Sequence, residues 1–265
     1  MSSLDGTVLD QIIAGVREDL AQRQRATSVA ELTELAAARP AALDPIPAMR
    51  RAPLSVISEV KRSSPSKGAL AEITDPAELA SHYEAGGASA VSVLTEQRRF
   101  GGTLADLDAV RERVTIPVLR KDFVVEPYQV LEARAHGADL VLLIVAALDD
   151  AQLRDLHDQI TGLGMTPLVE VHTPEETERA RSLGAELVGV NNRNLKTLDV
   201  DLAQFGRLAP MLGDEIVKVA ESGILTPADA ALVHSQGADV VLVGEALVRD
   251  GDPTAAIRAM VDATR

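Results

Sequence analysis

The sequence predicts an α/β fold, a closed (β/α)8 barrel of the TIM type preceded by an N-terminal helical extension. Three observations carry this: short β-branched apolar runs that alternate with longer amphipathic stretches, a recurring Gly-Ala pair before every second run, and a run count of eight. The runs are Leu54 to Val60, Ala90 to Leu94, Ile116 to Leu119, Leu140 to Val145, Pro167 to Val171, Leu187 to Val190, Ile216 to Val219 and Val240 to Val243. Their near-continuous hydrophobicity is the pattern of strands buried on both faces, which implies a parallel sheet covered by helices.

The helices come next. Pro76 to Ala85, Pro127 to His136, Asp149 to Leu163, Pro174 to Leu183 and Pro227 to Gln236 all space their apolar residues helically. Thr74-Asp75-Pro76, Glu126-Pro127, Thr173-Pro174 and Thr226-Pro227 place proline near the first turn, where its missing N–H costs nothing. At four exits Gly87-Ala88-Ser89, Gly137-Ala138-Asp139, Gly184-Ala185-Glu186 and Gly237-Ala238-Asp239 precede a strand, and glycine there suits a left-handed helix terminus. These exits recur about every 50 residues, so two βα units of about 25 residues fit each period. Strands three and five open with Ile116-Pro117 and Thr166-Pro167, and proline is tolerated at a strand's first residue. An even eightfold count favours a closed barrel over an open sheet. No strand is followed by a Gly-x-Gly-x-x-Gly turn, so a dinucleotide fold has little support. Residues 1–48 lie outside the repeat, with helical patterns near Leu4 to Arg25 and Val29 to Ala38 and then Pro40, Pro45, Pro47 and Pro53. They read as an extension of one barrel domain spanning residues 1–265.

Composition narrows the function. The 265 residues are 46% hydrophobic and 25% charged, a balance that suits a large buried core. A formal net charge of -14 repels nucleic acid and anionic lipid, so the expected partners exclude both. A small anion remains admissible where a few cations converge, because salt screens distant charges beyond about 10 Å. With no cysteine, disulfides, thiolate nucleophiles and Cys-based metal sites are excluded. Met1 to Leu20 lacks the apolar core of a signal peptide, and no window approaches a membrane span, which makes the cytoplasm the expected compartment and a monomer the default state. The five histidines, His82, His136, His157, His172 and His234, are scattered without ligand spacing, so no metal and no cofactor are expected.

Barrels of this kind handle ligands at the C-terminal strand ends, and ionisable residues beside apolar runs call for an explanation. Glu59 and Lys61 alternate onto one side of strand one. Strand three ends in Lys121-Asp122-Phe123, strand five in Glu170, strand six in Asn191-Asn192-Arg193, strand seven in Glu221-Ser222-Gly223 and strand eight in Gly244-Glu245. Lys61, Lys121 and Glu170 together read as a reactive set, whereas Lys218, set back from its strand end, reads as a structural ion pair. Ser222-Gly223 and Gly244-Glu245 are small-residue turns whose backbone N–H groups suit a phosphate. Phe100 and Phe123 suit a flat apolar substrate portion, though ordinary packing accounts for either one equally well.

In their order these residues resemble the indole-3-glycerol-phosphate synthase family. The strand-one stretch Glu59-Val60-Lys61-Arg62-Ser63-Ser64-Pro65-Ser66 carries most of the resemblance. Ser92-Val93-Leu94-Thr95-Glu96 with Phe100, Leu119-Arg120-Lys121-Asp122-Phe123, Leu168-Val169-Glu170-Val171, Gly189 to Leu195 and Ala220-Glu221-Ser222-Gly223-Ile224 extend it to the C-terminus. The resemblance implies conversion of 1-(2-carboxyphenylamino)-1-deoxyribulose 5-phosphate to indole-3-glycerol phosphate, with loss of carbon dioxide and water and no cofactor. It implies Lys121 as general acid at the ketone oxygen and leaves the later acid and base steps undivided among Glu59, Lys61 and Glu170. It further implies Asn191 as an orienting group and Ser64 and Arg193 as substrate contacts. Phe100, Phe123 and Leu195 then line the anthranilate pocket, Ser222, Gly223, Gly244 and Glu245 bind the phosphate, and Glu221 contacts the substrate. Some family members carry serine where this chain has Glu245, so only the backbone N–H there is credited. Two alternatives stay open: another sugar-phosphate barrel enzyme, either an isomerase or an aldolase, and a non-catalytic phosphate-ligand binder.

Overall fold

The computed structural model describes residues 7–50, 53–64, 68–69, 73–195, 197–249 and 251–265. Two helices come first, α1 (Val8–Ala26) and α2 (Val29–Ala38). Thr7 and Ser28 begin them, each accepting from the N–H three residues on while Asp10 and Glu31 reach back, a reciprocal cap that fixes both starts. The helical pattern expected from Leu4 therefore begins at Val8, while Leu4 to Gly6 lie outside the described residues. A short helix, Ile46–Met49, then buries Met49 among the inward side chains of the strands.

Eight parallel strands close into a barrel: β1 (Ser55–Val60), β2 (Ala90–Leu94), β3 (Val118–Lys121), β4 (Leu140–Ile144), β5 (Thr166–Val171), β6 (Leu187–Asn191), β7 (Val217–Glu221) and β8 (Val240–Val243). Each pairs with its sequence neighbours, and β1 closes the ring by pairing Ser55 with Val240 of β8 and Ile57 with Ala90 of β2. The helices that follow successive strands include α3 (Pro76–Gly86), α4 (Leu104–Arg113), α5 (Pro127–Ala135), α6 (Asp150–Gly162), α7 (Pro174–Leu183), α8 (Ala203–Leu208), α9 (Pro227–Ser235) and α10 (Pro253–Asp262). The four glycines expected at helix exits, Gly87, Gly137, Gly184 and Gly237, all have positive φ.

Strict alternation along each strand splits the apolar residues into two cores. Ile57, Leu119, Leu140, Leu142, Leu168, Leu187, Val217, Val219 and Leu242 fill the barrel interior. Val56, Val60, Val91, Val118, Val141, Val169, Val188 and Val241 face outward to the helices. Truncating an interior residue such as Leu119, Leu142 or Leu168 to alanine costs about 2–5 kcal/mol through lost burial and the cavity left behind.

Three strands run further than their apolar runs predict, β6 by one residue to Asn191 and two others by two residues. β3 begins after Pro117, which has no N–H to offer, and continues through Arg120 to Lys121, paired with Leu94. β7 continues to Glu221, paired with Asn191. The ladder therefore carries charged residues inside the strands, where their direction is set by the pleat rather than by a loop.

Candidate active site

The interior parity that places Leu119, Leu168, Leu187 and Val219 in the core also determines what comes two or four residues later. It points Lys121, Glu170, Asn191 and Glu221 into the C-terminal mouth, and Glu59 with Lys61 follows Ile57 to the same place. All six line one cavity of about 580 Å³. Phe100, Phe123, Arg193, Leu195, Ser222, Gly223, Gly244 and Glu245 line it too. Of the candidate site residues, only the Ser64 side chain lies outside the described residues.

At the centre sits Lys121. Its Nζ lies 3.2 Å from Glu221 Oε2 and 3.4 Å from Glu170 Oε2. Burial works against its charge, yet Glu221, Glu170 and Glu59 around it hold its pKa above the ordinary lysine value. Burial works to raise the Glu170 pKa, but Lys121, His172 and Asn191 outweigh it and keep this carboxyl below the usual range. Glu221 goes the other way, pushed up to about 8 by burial, with Lys121 opposing and Glu170 adding to the rise. Lys61 bonds Glu59 across the strand-one alternation, so the two line the cavity as an ion pair.

Room for this cluster comes from Gly189, two residues before Asn191 on β6. A Cβ there would run into Glu221 Oε1, so a side chain at this position displaces the carboxylate. Ser222 and Gly223 follow with φ of 63° and 83°, two consecutive left-handed residues that turn the chain sharply at the end of β7. The fully buried Asn192 holds that turn, donating to Ser222 O at 3.2 Å and accepting from Phe205 N at 3.0 Å. Arg193 is braced by a bond from its guanidinium to Leu198 O at 2.8 Å. Glu245 opens a one-turn helix, Glu245–Val248, and pairs with Arg249 at 3.6 Å.

The apolar wall is partly as expected. The Phe100 and Phe123 rings lie 6.1 Å apart at 41°, a tilted pair of the kind aromatic rings prefer. Val8, Leu9 and Ile12 of α1 also line the cavity, as do Leu198, Val200 and Leu202 of the loop after β6. Sequence reading placed α1 outside the repeat and assigned it no part in the site. A second residue it missed is His172, which directly follows β5 with Nε2 3.2 Å from Glu170 Oε1. Its i, i+2 spacing from Glu170 places both side chains on one side of the chain and is the signal the sequence offers. Lys218 stands apart from the cavity lining, 3.9 Å from Asp214, in keeping with the ion-pair reading.

A parallel barrel whose mouth gathers a buried ammonium among carboxylates, beside an aromatic wall, falls in the class of β/α-barrel enzymes that work at the C-terminal strand ends. The family model for indole-3-glycerol phosphate synthase matches residues 9–260. The chain is similar to the indole-3-glycerol phosphate synthase of a Nocardioides species, 65% identical over 96% of this chain and 98% of the relative. Those of Rhodococcus jostii and Streptomyces griseus are 59% and 60% identical, each over 97% of this chain and 96% of the relative. This chain belongs to the indole-3-glycerol phosphate synthase family. A solved N-acetylmannosamine-6-phosphate 2-epimerase from Clostridium perfringens shares the fold alone, with a TM-score of 0.61 over 80% of this chain and 94% of that one at 17% identity.

Proposed function

We propose that this chain closes the indole ring of 1-(2-carboxyphenylamino)-1-deoxyribulose 5-phosphate, releasing carbon dioxide and water as indole-3-glycerol phosphate forms, with Lys121 as the acid. The supporting observation is the Lys121 ammonium, enclosed by carboxylates at the cavity floor and held charged by them. Attack of the ring carbon on the sugar ketone turns the ketone oxygen into an alkoxide, and an adjacent ammonium both stabilises that charge and supplies its proton. A Schiff-base lysine needs a neutral amine, which this surrounding disfavours, so the same observation weighs against an aldolase.

Loss of carbon dioxide then restores the aromatic ring. The departing hydroxyl then needs a proton, and the carbon beside the nitrogen loses one to complete the indole; Glu59, Lys61 and Glu170 divide these transfers, with Asn191 orienting Glu170. Phe100, Phe123 and Leu195 take the anthranilate ring. Ser64 and Arg193 contact the substrate, while the turns at Ser222-Gly223 and Gly244-Glu245, beside Glu221, take the phosphate through backbone N–H groups. The reading carries with it a single barrel domain, a monomer, in the cytoplasm, acting without nucleic acid; among the described residues no helix is long and apolar enough to cross a membrane.

The test is direct. Fluorescence of the indole product should appear when the carboxyphenylamino substrate is added. Borohydride with a keto-sugar phosphate should leave Lys121 unmodified, and trapping there without indole formation would overturn the proposal in favour of an aldolase.

A further inference from the structure

Lys121 faces two buried carboxylates with a single positive charge. Two carboxylates that share one ammonium in a water-poor site resist ionising together, so one tends to keep a proton. Which one keeps it decides where the base lies, and the surroundings of the two differ.

Behind Glu170, outside the cavity lining, stands His172. Its side chain is 8% exposed, with Nε2 3.2 Å from Glu170 Oε1 and Nδ1 3.1 Å from Glu176 Oε2. The Glu176 carboxylate also accepts the His172 backbone N–H at 2.7 Å, and Gln204 from α8 donates to His172 O at 3.2 Å, so the ring is fixed from α7 and α8. Nδ1 hydrogen-bonds Glu176 and Nε2 lies within ion-pair distance of Glu170, so a carboxylate faces the ring on each side and favours the imidazolium. Glu170 pairs with both Lys121 and His172, whereas the ion pair described for Glu221 is with Lys121.

We propose that His172 is a positioning residue for the reaction: clamped between Glu170 and Glu176, its imidazolium fixes the negative charge on Glu170 and so leaves the shared proton on Glu221. This rests on the functional reading above and adds to it a residue that does not touch the cavity. The charged groups facing the ring are Glu170 from β5 and Glu176 from α7; Lys121 and Glu221 reach it only through Glu170. Burial opposes the imidazolium, but the two carboxylates raise its pKa to about 10. A neutral Glu221 also removes one negative charge from a cavity that takes an anionic substrate, while the imidazolium offsets another from outside.

Two measurements test this. Nitrogen NMR of the His172 ring, assigned by its loss in His172→Asn, should show both nitrogens protonated at pH 7.5; a neutral ring at that pH overturns the proposal. In His172→Asn, Glu170 loses its second cation and takes up a proton more readily, so the acidic limb of the kcat profile should move up by about one pH unit or more. At a pH on the displaced limb kcat should fall about tenfold below the parent, with KM changed less than about twofold. An unmoved acidic limb, or a loss confined to KM, overturns the assignment. Should His172→Asn fail to fold, Glu176→Gln keeps the imidazole and removes its outer partner; it should shift the same limb in the same direction by less, and an unchanged profile there counts equally against the proposal. A parent protein that forms no indole would end the functional reading and leave the ring titration to judge His172 by itself.

Discussion

Neighbouring residues on β3, Arg120 and Lys121, anchor two buried ionic clusters on opposite faces of one strand. Arg120 points outward and is fully buried. Its guanidinium reaches Asp122 Oδ2 and Glu132 Oε2, each at 2.9 Å, Gln129 O at 2.8 Å and Thr95 Oγ1 at 3.3 Å, and Glu132 is bonded in turn by Arg23 of α1 at 2.7 Å. Lys121 points inward to Glu170 and Glu221 beside the cavity. The outer cluster pairs two guanidinium groups with two carboxylates, so its charges balance. The inner one has more carboxylates than its ammonium can satisfy, and open space at its edge. Balanced charge marks a structural network; surplus acidity at the strand ends marks a chemical one.

Substitutions separate the two. Lys121→Ala should lower kcat/KM by about a thousandfold or more while circular dichroism stays that of the parent, because Glu170 and Glu221 can take up protons once their ammonium is gone. Arg120→Met should do the reverse. Leaving Asp122 and Glu132 buried without their shared cation costs about 3–5 kcal/mol, read as a lower urea midpoint, with the folded fraction still turning over. Near-normal stability in Arg120→Met would erase the contrast.

The inner cluster should also show itself in the pH dependence of stability. Glu221 has a folded pKa raised from 4.5 to about 8, so its contribution to stability is complete below the unfolded value and is lost as pH rises through about 8. Glu170 has the opposite sign: its contribution is present above its ordinary value and is lost as pH falls. Between pH 6 and pH 9 the parent should lose about 1 kcal/mol or more of unfolding free energy that Glu221→Gln does not lose. Equal losses in both proteins would remove Glu221 from the cluster's titration.

Smaller effects mark the uncharged wall. Phe100→Ala should raise KM about tenfold with little change in kcat, since a ring contact serves substrate and transition state alike. Leu198 lines the cavity with a φ of 65°, a backbone setting that burdens a branched side chain. Leu198→Gly should gain less than about 1 kcal/mol in stability, the relief being partly offset by the greater freedom of the unfolded chain.

Much of this was legible in the chain itself. The eight apolar runs and the exit glycines describe local requirements of strands and helix ends, so they read directly. Period-two alternation then brings Glu59, Lys61, Lys121 and Glu170 to the mouth without any knowledge of the barrel's closure. Arg120 was harder, because its partners Glu132 and Arg23 belong to other elements and only their packing turns a charge beside a core strand into a satisfied one. The α1 wall escaped for the same reason: Val8, Leu9 and Ile12 form an ordinary amphipathic stripe, and nothing local says which surface it covers. Asn192 and His172 are single polar residues whose meaning lies entirely in what they face.

The position of α1 has a practical consequence. Its first turns overlook the reaction chamber through Val8, Leu9 and Ile12, while Arg23 near the far end is tethered to Glu132, outside the ring of strands. One end is thus a ceiling panel and the other a bolt, so the three ceiling side chains offer a place to reshape the cavity without disturbing a single barrel strand.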